Sequence, residues 1–134
     1  MSWKDIIKQN KFDFSKLKFQ KINENNDPDP VWRAVHDFGE DVIFSIVAGE
    51  YQYSAPREYL DDPMGYEEYE VMLGHPEVSH PREIGIEENT MVFPYVTKEQ
   101  ITEYARKVEA NLPSKLKEKK QKKNLSRLVA AFRE

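Results

Sequence analysis

Cysteine is absent from this 134-residue chain, which removes disulfides, thiolate metal sites and cysteine nucleophiles together and fits a reducing compartment. Glycine is scarce, with five scattered residues and no glycine-rich loop to cradle a phosphate. No apolar run at the N-terminus has the length of a signal peptide, and none elsewhere approaches a membrane span. The three histidines, His36, His75 and His80, match no metal-motif spacing, and the last two each precede a proline, a turn context rather than a rigid ligand position. Ser54 lacks the flanking glycines of a nucleophile elbow. These gaps point away from catalysis, cofactors and metals. The expectation is a soluble cytoplasmic protein with no membrane association.

Positive charge is nearly missing from the middle of the chain. Residues 1–22 carry a net +4, residues 23–113 a net −14 and residues 114–134 a net +6, for −4 in all. An acidic centre repels nucleic acid, so phosphate-backbone contact falls to the ends, above all the six lysines between Lys115 and Lys123. That run has no interleaved aromatics for base stacking. Basic ends that pack near the acidic middle, in the same chain or a neighbouring one, are the plainer reading of the layout.

What is present reads as strands followed by helices. Trp3, Ile6 and Ile7 form a docking face on one short helical turn. Phe12, Phe14, Leu17, Phe19 and Ile22 follow at near-strand spacing, and residues 23–30 (NENNDPDP) form a loop. Val31–Phe38 and Val42–Ala48 make an antiparallel hairpin. Asp61–Gly65 is a turn. Tyr66–Leu73 is a strand with Tyr69, Val71 and Leu73 on one face and Glu68, Glu70 and Met72 on the other. Gly74–Gly85 is a loop, and Thr90–Val96 is a last strand whose Pro94 argues for an edge or a strand end. Thr97 and Gln100 form a capping box for a helix that places Ile101, Tyr104, Ala105, Val108 and Leu112 on one face. The fold class is therefore α+β: an antiparallel sheet of four or five strands packed against C-terminal helices. Residues 1–112 form the core domain. Residues 113–134 form a lysine-rich C-terminal helix, a docking or oligomerisation arm, with Leu125, Leu128, Val129 and Phe132 as its apolar positions. A homo-oligomer is the expectation from that arm.

The least ordinary chemistry lies in Tyr51-Gln-Tyr-Ser-Ala-Pro-Arg-Glu-Tyr59. Arg57 is the one Arg or Lys between Arg33 and Arg82. A rigid guanidinium among tyrosines suits a flat or anionic ligand, and equally suits an ion pair to Glu58 or Glu70 that fixes a loop. The candidate ligand-binding residues are Tyr51, Tyr53, Ser54, Arg57 and Tyr59.

The segment from Asp41 to Val96 resembles small proteins of unknown function common in tailed phages. The residues that carry the likeness are Tyr51, Tyr53, Ser54, Pro56, Arg57 and Glu58, then Tyr66, Tyr69, Glu70 and Val71, then Tyr95 and Val96 before Thr97. The opening MSWKDIIK is similar to starts seen in archaeal and viral reading frames. The resemblance implies a virus-encoded accessory protein that acts by binding, either sequestering a host signalling nucleotide or occupying a host defence protein. It makes Tyr51, Tyr53 and Arg57 the leading site, with tyrosine stacking on a base and Arg57 meeting a phosphate. Two alternatives stay open: a protein-interaction inhibitor working through the acidic surface or the terminal helix, and a small metal-dependent hydrolase using His36, Asp37, His75 or His80.

Overall fold

A computed structural model describes residues 11–22, 30–39, 42–74, 78 and 80–111. Five strands, β1 (Gln20–Ile22), β2 (Val31–Gly39), β3 (Val42–Ala48), β4 (Glu68–Gly74) and β5 (Val92–Thr97), form one antiparallel sheet in the order β1-β2-β3-β4-β5. A helix, α1, runs over residues 98–111 and packs on one face of the sheet. The α+β expectation holds, with the strand count at its upper value.

Period-two alternation decides which face is which. On β2 and β3, Trp32 pairs with Ala48, Ala34 with Ile46 and His36 with Phe44, and all of these point into the core. On β4, Tyr69, Val71 and Leu73 are buried while Met72 is exposed, as the sequence alternation requires. Arg33, Val35, Ser45, Val47, Glu70 and Met72 share the other, open face. Ile101, Ala105 and Val108 of α1 are fully buried, and Tyr104 meets Phe93 edge-on at 5.3 Å between ring centroids. The capping box forms as expected. Gln100 N–H donates to Thr97 Oγ1 at 3.2 Å, and Thr97 N–H donates to Gln100 Oε1 at 3.0 Å.

β5 is an edge strand, where the missing N–H of Pro94 costs no ladder bond. It also carries a β-bulge. Tyr69 pairs with Val96 and Val71 with Phe93, so Pro94 and Tyr95 together oppose Glu70 alone. The bulge lets Phe93 and Val96, three residues apart, both enter the core. It holds Tyr95 in the left-handed region at φ 53°.

Two stretches differ from the sequence expectation. Residues 12–19 do not form a strand. Asp13 accepts hydrogen bonds from Ser15 N–H and Oγ, and this turns the chain into one turn of 3-10 helix at Phe14–Lys16. Strand pairing starts only at Gln20. Gly74–Gly85 is not a plain loop either. Pro81–Ile84 is a 3-10 turn, and Val78, Pro81 and Ile84 are buried. It ends at Gly85, whose φ of 83° suits glycine. Lys107 and Asn111 of α1 then hold it by donating to the carbonyls of Gly85 and Ile84.

The two ends of the described chain meet at Phe12. Its N–H donates to Glu109 Oε2 at 2.8 Å and its carbonyl accepts from Arg106 Nη2 at 3.0 Å. Arg106 and Glu109 pair with each other at 2.6 Å. Trp3, Ile6, Ile7, His75, Leu112, Lys115–Lys123, Leu125, Leu128, Val129 and Phe132 lie outside the described residues, as do residues 113–134 and the arm they were expected to form. Among the described residues no helix is long and apolar enough to cross a membrane.

Candidate functional site

The segment Tyr51–Tyr59 follows the end of β3 and pairs at Ala55 with Glu68, the first residue of β4. Its hold on the fold is mostly backbone. Ala55 exchanges hydrogen bonds with Glu68 as an isolated antiparallel bridge, and Tyr95 N–H donates to Tyr53 O. Ser54 is fully buried; its hydroxyl accepts from Gly49 N–H at 3.2 Å and donates to Gly49 O at 3.1 Å. Both bonds stay inside the loop, so Ser54 shapes the segment rather than facing outward.

Core aromatics anchor the following stretch by their polar tips, since a buried ring that carries a donor needs a partner. Tyr66 hydroxyl donates to Glu58 O and accepts from Leu60 N–H. Trp32 Nε1 donates to Leu60 O, and Tyr69 hydroxyl donates to Pro63 O. Burial raises the phenol pKa of Tyr66 and of Tyr69, so both stay neutral donors. The loop is thereby held in place by the core.

Tyr53 and Arg57 come together outside this frame. The Arg57 guanidinium lies over the Tyr53 ring at 5.9 Å from its centroid, a cation–π contact. The Tyr53 ring in turn meets Tyr95 edge-on at 5.9 Å. Tyr53 and Tyr95 are about half exposed, Tyr51 more so, and Arg57 is exposed. Arg57 is in no ion pair among the described residues, with Glu58 and Glu70 included. Its fork of donors faces solvent.

Tyr59 belongs to a different group. It stacks on Trp32 at 6.0 Å and 12°, with Lys21 Nζ over both rings at 5.5 and 5.3 Å. A hydrogen bond with the Tyr59 hydroxyl raises the Lys21 pKa. Tyr59 packs against the core cluster, whereas Tyr53 lines a hollow on the open side. The structure thus brings together Tyr53 and Arg57 of the expected set, adds Tyr95, and turns Ser54 and Tyr59 to other tasks.

One hollow adjoins this ledge at Tyr53, and a second shares the wall residue Val92 with it. One of about 300 Å³ is lined by Tyr53, Glu88, Asn89, Thr90, Val92 and Pro94. The other, about 270 Å³, lies on the open sheet face between Arg33 and Glu70, over Val47, with Gln52 and Met72 at its rim. Val92 is a wall of both. Arg33, Glu70, Gln52 and Tyr95 were not singled out from sequence as site residues. The signal was partial: alternation puts Glu70 on the outer face of β4, but only the cross-strand register sets it beside Arg33.

The two described histidines, His36 and His80, take separate structural positions. His36 faces the core, edge-on to Phe12 and Phe38, while its neighbour Asp37 lies on the other face and accepts from Gly39 N–H. His80 Nδ1 caps the 3-10 turn by accepting from Arg82 N–H. Among the described residues no group of three His, Cys, Asp or Glu could hold a metal ion. No protein family, curated protein or solved structure matches the chain.

Proposed function

We propose that this chain is a non-enzymatic binding protein that captures a small anionic ligand, such as a nucleotide, on the ledge formed by Tyr53, Arg57 and Tyr95. One observation carries the reading: Arg57 rests on an aromatic ring, in no ion pair among the described residues, on a loop anchored to the core. Unpaired Arg donors match phosphate oxygens in a planar, two-point geometry. A pre-positioned loop loses little entropy on binding. In the virus-encoded setting implied by the resemblance, such capture would withdraw a host signalling nucleotide.

A thermal-shift screen against cyclic and linear nucleotides tests this. A ligand at about 100 times its Kd adds about 2.7 kcal/mol of stability, enough to move the melting temperature by several degrees. Arg57→Ala should weaken binding by about 10- to 100-fold through the loss of a charge-assisted contact while leaving the fold intact. No shift with any nucleotide overturns the proposal.

The exposed Val35, Met72 and Val92 favour a second reading, contact between the open sheet face and a host protein. Capture of one host protein, lost on Met72→Asp but kept in Arg57→Ala, would select it.

A further inference from the structure

The hollow on the open sheet face has a more specific chemistry than its neighbour. Arg33 pairs in register with Val47, and Val47 pairs with Glu70, so the three form a row across β2, β3 and β4. Strands lie about 4.8 Å apart, which sets the Arg33 and Glu70 backbones roughly 10 Å apart with Val47 between them. Both long side chains line the hollow, and they form no ion pair with each other. Arg33 Nε donates to Ser45 Oγ at 3.1 Å, and Ser45 is buried. That bond orients the guanidinium and leaves its outer nitrogens for another partner. Gln52 also lines the hollow, with its amide oxygen turned in against Gly49. Its Oε1 is buried and has no hydrogen-bond partner among the described residues. It lies so close over Gly49 that a Cβ there would collide with it.

The floor and walls are apolar: Val47 below, with Val31, Met72 and Val92 around it. At about 270 Å³ the space falls just below that of ordinary small-molecule pockets, so it suits a fragment the size of one heterocycle. The rest of such a ligand would leave past Val92 and Gln52 toward Tyr53 and Arg57.

We infer that this hollow reads the edge of a guanine-type base. The inference rests on the nucleotide reading of the ledge above and names the base. Guanine presents N–H donors at N1 and N2 and acceptors at O6 and N7. The donors match the Glu70 carboxylate, and the acceptors match the Arg33 fork. Adenine has no N–H at N1, so its ring lone pair would face an acceptor across the same row. Ser45 acts as a positioning residue for Arg33.

Isothermal titration of the full chain with GMP, IMP and AMP tests the assignment. GMP should bind at least about 10-fold more tightly than AMP, since a good bidentate pair discriminates by about that much. IMP, which lacks the 2-amino group, should fall between them. Glu70→Gln should bring GMP to within about 3-fold of AMP, by weakening GMP and by strengthening AMP, whose N1 lone pair can accept from the new amide N–H. Arg57→Ala should weaken all three nucleotides alike. Equal binding of GMP and AMP to the unaltered chain overturns the base assignment and leaves the ledge standing. Equal losses for both nucleotides in Glu70→Gln overturn it in the same way. Failure of all three nucleotides to bind overturns both readings.

Discussion

Tyr53 and Tyr95 are joined twice: Tyr95 N–H donates to Tyr53 O at 2.9 Å, and their rings meet edge-on at 5.9 Å. The two residues belong to the loop after β3 and to the bulge of β5, so this pair ties the candidate ledge to the sheet edge. Tyr95 holds its place at φ 53°, a region where a side chain costs about 1–2 kcal/mol.

Replacement at Tyr95 should therefore depend on backbone more than on ring. Tyr95→Gly relieves the strain and loses the ring contact, so stability should change by less than about 1 kcal/mol. Tyr95→Val, β-branched at positive φ, should cost about 1–3 kcal/mol. Urea denaturation of the two variants checks the contrast; a Val variant as stable as the Gly variant would contradict the bulge geometry.

Ser54→Ala removes the hydroxyl that both accepts from and donates to Gly49. Two backbone groups would lose their partner in a buried place, at a cost of about 1–3 kcal/mol. The urea midpoint should fall with an unchanged slope. A neutral outcome would show that the loop does not depend on this bond.

The two faces of the sheet should answer differently to truncation. Phe44 is fully buried, and Phe44→Ala should cost about 3–5 kcal/mol. Val35 is 49% exposed on the open face, and Val35→Ser should stay within about 0.5 kcal/mol. Similar losses at both positions would mean that the open face is covered in solution.

Alkaline pH should unfold the chain through its inner tyrosines. Burial raises the pKa of Tyr66, Tyr69 and Tyr104, and for Tyr104 burial and its hydrogen bond to Glu88 push it up to about 12. A raised folded-state value stabilises fully below the unfolded value of about 10, and that contribution drains away as pH climbs to the folded value. Stability followed by circular dichroism should fall between about pH 10 and 12, with a late rise in tyrosinate absorbance as the fold is lost. Tyr104→Phe should make the fall shallower. A flat profile across that window would count against these tyrosines being held neutral.

The sheet was legible where one segment carried its own periodicity. Val42–Ala48 was placed to the residue, and the two faces of β4 followed from Tyr69, Val71 and Leu73 alternating with Glu68, Glu70 and Met72. The stripe of α1 and its Thr97–Gln100 cap were equally local. The bulge was not, because Phe93 and Val96 share a face only once the partner strand is known. Residues 12–19 misled because their aromatics alternate like a strand, while a carboxylate at Asp13 captures the Ser15 N–H and turns the chain. For the site, Tyr53 and Arg57 stood out by composition. Tyr59 shared that composition but is drawn to Trp32 and Lys21 from outside the segment. Arg33 and Glu70 lie 37 positions apart and meet only through the register of three strands.

The junction at Phe12 also bears on how the chain assembles. Each strand pairs with its successor, so the sheet can zip up in step with synthesis, one hairpin after another. The Phe12 contacts with Arg106 and Glu109 span more than ninety residues and form only after α1 has emerged from the ribosome. Until then the inner face of the nascent sheet stays open to water and to neighbouring chains, the condition in which misassembly competes with folding. Helix α1 therefore acts as a timing device, with cohesion deferred until it has emerged.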